Sequence, residues 1–187
     1  MPLQYLRCHF YKISISLSTS LLSVAQLVQM RDQGMSAAQI YTAIEEEKKD
    51  AHVLAIFNTL EYLKLGGRIS AAAAFAGGLL SLKPVLTIED GVVKILGKAR
   101  GSRNGNNMLT EFAEKLGGID FERPFCFGYT GFSDETLKKY IHDSARLYAD
   151  KLDVDDPGKF RIAKVGATIG TYAGPGAIAV AFFAAKK

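Results

Sequence analysis

The chain has 187 residues, of which 48% are hydrophobic and 22% charged, a balance typical of a globular protein that buries its own core. The formal net charge is +4, and basic residues cluster only between Lys94 and Arg103. This scatter argues against a nucleic-acid binder, which usually carries a basic stripe. Two distant cysteines (Cys8, Cys126) and three dispersed histidines (His9, His52, His142) suggest neither a disulfide framework nor a metal site.

The first fifty residues predict one strand and two helices. Strict apolar–polar alternation over 13–18 predicts the strand. Helical spacing from Leu21 to Val28 predicts a helix that Gly34 ends. Ser36 and Gln39 have the spacing of a capping box, so a second helix is expected to follow. No apolar run is long enough to span a membrane, and we expect neither a secretory signal nor a location outside the cytoplasm.

The rest of the chain alternates strands with helices. The Asp90-Gly91 pair predicts a hairpin turn, and Asn58 and Glu61 have the spacing of a helix cap. The pattern predicts an α/β fold, a mixed sheet with flanking helices, and a separate lobe that ends near Asp50. Strands are predicted at 51–57, from Pro84, and at 92–96, 125–130, 160–165 and 177–183; helices are predicted after Asn58, at 71–80, from Met108 to Leu116, and from Ser133 to Tyr148.

Three segments in a fixed order carry a family resemblance. The first reads TLEYLKLGGRIS (59–70). The second reads LLSLKPVL (79–86) and is followed by Asp90-Gly91 and by Lys98-Ala-Arg100. The third reads IGTYAGPGA (169–177). This ordered set resembles the DegV family of fatty-acid-binding proteins, and the similarity runs from about Leu21 to Phe183.

The resemblance implies a lipid-binding protein rather than an enzyme, with no cofactor and no metal. Family members hold a long-chain fatty acid between two α/β lobes and present its carboxylate to a separate fatty acid kinase, for acyl-phosphate formation and phospholipid synthesis. By this resemblance, residues 1–50 are a remnant of the N-terminal lobe and 51–187 form the C-terminal lipid-binding lobe. The family's first portion, with the Ser and Thr residues that bind the carboxylate, has no match here, and residues 1–14 look unlike the family.

The resemblance places Arg68 and Arg100 at the family's basic head-group positions, where they serve the acyl phosphate or the kinase surface. Tyr172 stands where the family usually has a histidine. From the residues themselves, Arg68 precedes a helix that Ser70 would cap, an arrangement suited to an anion. The eight candidate ligand-binding residues are Arg68, Ser70, Phe75, Leu79, Arg100, Tyr172, Gly174 and Gly176.

Each candidate also has a plain structural interpretation, which the residues leave open. The apolar helix at 71–80, with Phe75 and Leu79, would line an acyl slot or simply form core. Ser70 fits an ordinary cap. Arg100, which we expect at the end of a strand after the hairpin, fits a solvated basic loop. Gly174 and Gly176 fit a tight turn near a ligand or a structural turn, and Tyr172 a head-group donor or a packed ring.

Two other function classes stay open on the sequence. An enzyme could use Arg68, Ser70 and Tyr172 on a small anionic substrate, or the chain could be an interaction domain without a ligand. His142 and Asp143 are adjacent, and we interpret them as surface residues rather than a catalytic pair.

Overall fold

The computed structural model describes residues 17–68, 82–89, 92–148 and 162–185. A short 3-10 helix (Lys48–Asp50) leads from the second helix into the first strand. Within the described ranges the helices are α1 (Leu17–Asp32), α2 (Ala37–Glu47), α3 (Glu61–Leu65), α4 (Ser102–Lys115), α5 (Glu135–Asp143), α6 (Ala145–Tyr148) and α7 (Ala167–Ala173). The strands are β1 (Ala51–Ile56), β2 (Leu82–Glu89), β3 (Val92–Arg100), β4 (Cys126–Tyr129), β5 (Ile162–Lys164) and β6 (Ile178–Phe183).

The six strands form one sheet in the order β3-β2-β1-β6-β4-β5. All neighbouring pairs are antiparallel except β4 and β5, which run parallel, so the predicted mixed α/β sheet is confirmed. Glu89 pairs with Val92, as expected for the hairpin, whose turn at 90–91 lies outside the described residues. A bulge between Val85 and Leu86 interrupts the β2–β3 register.

One side of the sheet, which we call the aromatic face, carries the larger core. Strand residues such as Leu54, Phe127 and Val180 pack there against α4, α5 and α6. Phe127 is fully buried and makes edge-to-face contacts with Tyr140 and Tyr148, whose hydroxyls are 2.9 Å apart. Such contacts add to the free energy gained by removing apolar area from water, so this face contributes most of the packing energy.

The opposite side, which we call the small-residue face, is packed by α1. The buried residues Val53, Cys126, Ala181 and Phe183 form its core cluster. Side chains alternate between the two sides along a strand. The residue after each large aromatic-face residue therefore lies on the small-residue face. In β6 those neighbours are alanines at two of three positions, which gives the two faces different chemistry.

An ion pair ties α2 to the segment before β4. An Nη2 atom of Arg123 lies 2.6 Å from Oε2 of Glu47, and both side chains are largely buried. The Arg123 guanidinium also lies over the Phe183 ring, with Cζ 3.7 Å from its centroid. Gln26 of α1 donates to the same Glu47 oxygen at 3.2 Å, so the two N-terminal helices meet at this carboxylate.

Helix ends show where local sequence signals were sufficient and where they were not. The predicted capping box is confirmed, because the Ser36 hydroxyl accepts from the Gln39 N–H and the Gln39 side chain accepts from the Ser36 N–H. The predicted strand at 13–18 is wrong at Leu17 and Ser18, which begin α1; its other residues lie outside the described ranges.

The predicted cap at Asn58 is also wrong. Leu60 precedes α3, and the Asn58 amide instead donates to the Pro175 carbonyl at 3.0 Å. A single helix was predicted from Ser133 to Tyr148, but it divides at Ser144 into α5 and α6. The predicted cap at Ser133 is wrong by one residue: Asp134 precedes α5, and the Ser133 hydroxyl accepts from the Glu135 N–H at 3.2 Å from the position before it. The lobe boundary near Asp50 stays a prediction.

Candidate functional site

The five candidate residues that the structure describes lie toward one edge of the sheet. The pairing directions bring the C-terminal ends of β1, β3, β4 and β5 together with the N-terminal ends of β2 and β6. We call this the site edge. The loop after β1, the helices α3 and α7, and the turn from Gly174 to Ala177 all lie here. Loops at one end of a sheet can combine side chains that are far apart in sequence, which suits a binding site.

Two glycine–tyrosine contacts join α3 to α7. A Cβ atom at Gly66 would lie 2.2 Å from Cδ1 of Tyr172, and one at Gly174 would lie 2.3 Å from Cδ2 of Tyr62. Gly174 also has a φ of +71°, a conformation that side-chain-bearing residues rarely adopt. Each ring therefore occupies space that only glycine leaves open, and the two helices are held in one relative position.

Arg68 follows α3 and lies over α7. Its Cζ atom is 4.5 Å from the centroid of the Tyr172 ring, a cation–π contact. Its Nη1 donates to the Gly66 carbonyl at 3.1 Å, and its backbone N–H donates to the Leu63 carbonyl at 2.9 Å. The side chain is exposed, so this guanidinium presents a positive charge to solvent at the site edge.

A polar bridge connects β2 with the turn after α7. The Lys83 ammonium donates to Oδ1 of Asn58 at 2.6 Å, while Nδ2 of Asn58 donates to the Pro175 carbonyl. A Cβ atom at Gly176 would lie 2.4 Å from that same Nδ2. Burial lowers the pKa of Lys83. Sequence reasoning missed both Asn58 and Lys83, although Lys83 lies within the quoted segment 79–86.

Thr130 holds the same turn from the side of β4. Its hydroxyl donates to the Gly174 carbonyl and accepts from the Ala177 N–H at 2.9 Å. Its backbone N–H and carbonyl bond to Ala177 and Gly176, so this buried residue satisfies several turn groups at once. The turn is thus fixed by Thr130 after β4 and by Asn58 after β1, and Gly174 and Gly176 have defined structural roles in it.

Arg100 lies at the same edge but on another strand. It is the exposed last residue of β3, pairs with Leu82, and its carbonyl accepts from the Asn104 amide at 3.1 Å. Arg100 therefore ends the strand that follows the hairpin rather than lying in a loop, and its exposure agrees with a solvated basic position. β2 separates β3 from β1, so Arg100 lies across a strand from the elements that carry Arg68 and Tyr172. Ser70, Phe75 and Leu79 lie outside the described residues.

Small residues cross the sheet next to the site edge. Ala55 pairs with Ala179, which pairs with Gly128, which pairs with Ala163, so the four occupy one row of the small-residue face. We call this row the small-residue strip. The three alanines are only half-buried. A flat row without bulky side chains leaves room for an apolar ligand against the sheet.

Exposed apolar side chains also lie at the site edge. Phe132, in the loop after β4, is fully exposed, and the Lys164 ammonium lies 5.6 Å from its ring centroid. Leu65 at the end of α3 and Ile169 of α7 are exposed as well. The mixture of apolar and basic groups gives this edge the character of a contact surface.

An open hollow of about 300 Å³ lies at the opposite edge of the sheet. Asp50, His52, Lys115 and the chain around Gly117 line it. Burial lowers the pKa of His52, and the charges of Asp50 and Glu89 oppose that shift. None of the five described candidates (Arg68, Arg100, Tyr172, Gly174 and Gly176) lines this hollow, so the candidate site is the site edge.

Among the residues that the structure describes, no helix is long and apolar enough to cross a bilayer, and no group of acidic, histidine and cysteine side chains could hold a metal. His142 is largely exposed, with Nδ1 3.8 Å from the Asp143 carboxylate, while the second Asp143 oxygen accepts from Asn106. This geometry fits the surface interpretation of the pair.

The fold is an α/β lobe in which a row of small residues crosses the sheet next to the site edge, where the Arg68 guanidinium contacts Tyr172 and Gly66. The family model described as "Uncharacterised protein, DegV family" matches residues 8–185. The chain belongs to the DegV family. It is 29% identical over 160 residues to a DegV domain-containing protein of Caldanaerobacter subterraneus, covering 85% of this chain and 54% of the relative. A second relative, from Clostridium perfringens, is 34% identical over 170 residues, which cover 89% and 55% of the two chains.

Solved structures share the fold. A fatty-acid-binding DegV family protein of Thermus thermophilus superimposes with a TM-score of 0.74 at 23% identity, covering 92% of this chain and 59% of that one. The Streptococcus pneumoniae Fatty Acid Kinase (Fak) B3 protein, loaded with linoleic acid, gives a TM-score of 0.72 at 19% identity, with 88% and 55% covered. The chain thus spans little more than half the length of the relatives it matches.

Proposed function

We propose that this chain binds a long-chain fatty acid, with the carboxylate at Arg68 and the acyl chain along the small-residue strip. One observation carries the proposal: a guanidinium fixed by Tyr172 and Gly66 lies at the edge beside which that strip runs. A guanidinium pairs strongly with a carboxylate, and each buried methylene contributes about 0.8 kcal/mol. The two parts of the ligand therefore match the two parts of the site.

Further support comes from relatives. The Streptococcus pneumoniae protein carries linoleic acid, and a DegV family protein of Eubacterium eligens carries heptadecanoic acid. The predicted helix at 71–80, begun by Ser70 and carrying Phe75 and Leu79, would close the slot from the side facing the strip. That part of the proposal lies outside the described residues.

Mass spectrometry of the denatured, purified protein tests the binding. We expect a co-purifying acyl chain of about 16 to 18 carbons, and a loss of about tenfold in its amount when Ala179→Leu fills the strip. Ala167→Leu adds the same side chain at an exposed position of α7 and serves as the matched control. A protein that carries no lipid after exposure to hexadecanoate would overturn the proposal and favour an interaction domain or an enzyme acting on small anions.

We also propose that the bound carboxylate is presented to a fatty acid kinase, for acyl-phosphate formation that serves phospholipid synthesis in the cytoplasm. Arg100 is exposed at the site edge and lies across β2 from β1, so it is available to a partner without touching the acyl slot. Arg100→Ala should leave lipid retention unchanged and reduce kinase-dependent phosphorylation by about tenfold. If Arg100→Ala instead abolishes retention, its assigned role is wrong.

A further inference from the structure

The Arg68 side chain is exposed yet held in one place. An exposed arginine ordinarily samples many rotamers, and holding it costs about 2 kcal/mol of side-chain entropy. Here the guanidinium lies over the Tyr172 ring at 4.5 Å and donates one hydrogen bond to the Gly66 carbonyl. The contacts with Tyr172 and Gly66 therefore hold the Arg68 guanidinium in one position, although the side chain is exposed to solvent.

Gly66 leaves the space that the Tyr172 ring occupies. Gly66 lacks the Cβ atom that would lie 2.2 Å from the Tyr172 ring, and the same residue supplies the carbonyl that Arg68 binds. Gly174 gives the ring of Tyr62 the equivalent room on the other side. The ring of Tyr172 is thus wedged between α3 and α7, with Arg68 over it, so its position is set before any ligand arrives.

Stacking uses the flat face of a guanidinium and leaves its edge for hydrogen bonding. The group has five N–H donors in its plane, and Gly66 is the single acceptor identified for them among the described residues. A carboxylate binds such an edge with two parallel hydrogen bonds. A hydroxyl head group cannot use the positive charge in the same way, so a fixed edge discriminates between the two.

We propose that Tyr172 is a positioning residue: its ring holds Arg68 so that the site selects anionic over neutral head groups, and its hydroxyl is not the head-group donor. This rests on the proposed function, since it assigns the head-group selectivity of the same site.

The test compares the affinities for hexadecanoate and hexadecanol, which share one acyl chain. The wild-type chain and Tyr172→Phe, which keeps the ring, are expected to prefer hexadecanoate by the same factor within about twofold. Tyr172→Leu and Arg68→Gln should each reduce that preference by about tenfold, with hexadecanol affinity nearly unchanged. The double variant should lose no more than either single variant, because both act through one group.

Two outcomes would overturn the inference. If Tyr172→Phe loses the preference as fully as Tyr172→Leu, the hydroxyl is the donor. If Tyr172→Leu weakens both probes equally, the ring supports only the fold, and circular dichroism and thermal unfolding of each variant would show that directly.

A second readout needs no ligand and separates this inference from the proposed function. The Arg68 Hε proton should show a ring-current shift in nuclear magnetic resonance spectra of the wild type and Tyr172→Phe, and lose it in Tyr172→Leu. An unchanged Hε shift in Tyr172→Leu overturns the positioning role. A wild-type chain that binds neither probe overturns the selectivity together with the proposed function, while the Hε shift still decides the positioning.

Discussion

The two faces of the sheet are made by the same strands but are built differently. On the aromatic face, Phe127, Tyr140 and Tyr148 are fully buried and contact one another edge to face. On the small-residue face, Ala55 and Ala179 are paired and half-buried. Because a strand sends alternate residues to opposite sides, one sequence can put its packing energy on one face and leave an apolar, uncrowded row on the other. We infer that stability and ligand binding are largely separated in this molecule.

Truncation of the aromatic core should have the largest effect. Phe127→Ala removes a fully buried ring that contacts three other aromatic rings, and we expect a loss of about 3–5 kcal/mol in the free energy of unfolding. Ala179→Gly on the small-residue face should cost about 1 kcal/mol or less. Urea unfolding measures both. Similar losses at the two positions would show that the faces share the packing energy.

The elements that could be predicted from sequence are those whose signals are local. The capping box of Ser36 and Gln39 spans four residues, and the strand β6 shows its apolar run directly. Asn58 has an equally local cap signal, but it is overridden by Pro175, which lies 117 positions away. The helix α7 was missed because Gly166, Gly170 and Gly174 gave the segment the composition of a turn.

Some residues of the candidate site could be predicted from sequence, but its geometry could not. The ordered segments named Arg68, Tyr172, Gly174 and Gly176, and the structure brings these four to one edge. Tyr172 lies beneath the Arg68 guanidinium because α3 packs against α7. The sequence around either residue does not predict that packing. The hydrogen bond from Asn58 to Pro175 could not be predicted either, because the fold brings these two residues together.

The buried ion pair should give the next largest effect and report on the small-residue face. Arg123→Gln leaves the largely buried Glu47 carboxylate without its cation and removes the stacking on Phe183. We expect a loss of about 2 kcal/mol in the free energy of unfolding. Arg31→Gln breaks the pair with Asp32, which is well exposed, and should cost less than about 0.5 kcal/mol. Equal losses would mean that Arg123 contributes no more than a surface charge.

Alkaline pH should destabilise the aromatic face. Burial raises the pKa of Tyr140 to about 12 and raises that of Tyr148 well above its ordinary value. The folded state therefore keeps protons that the unfolded chain loses above about pH 10, so stability present below that pH declines as pH rises toward about 12. The decline is about 1.4 kcal/mol per pH unit for each proton involved.

Tyr148→Phe removes one of these protons and should flatten the alkaline decline, measured by urea unfolding between about pH 9 and about pH 11. Tyr41→Phe, at an exposed position of α2, is the matched control and should leave the decline as it is. An equal flattening by Tyr41→Phe would show that the decline comes from general charging of the molecule rather than from the buried pair.

The smallest effect on the free energy of unfolding is expected at acidic pH, through His52 on the aromatic face. The His52 ring lies 5.8 Å from the Phe182 ring, and burial lowers its pKa, with Asp50 and Glu89 opposing. As pH falls below about 6.5, the unfolded chain takes up this proton before the folded state does, so the free energy of unfolding decreases. His52→Gln should remove that part of the decrease between about pH 7 and about pH 5, while His142→Gln, at a largely exposed ring, should not. If His142→Gln had the same effect, burial against Phe182 would not be the cause. If only His52→Gln removes the decrease, buried groups on the aromatic face lower the stability at both acidic and alkaline pH. The small-residue strip, made of three alanines and a glycine, has no side chain that titrates.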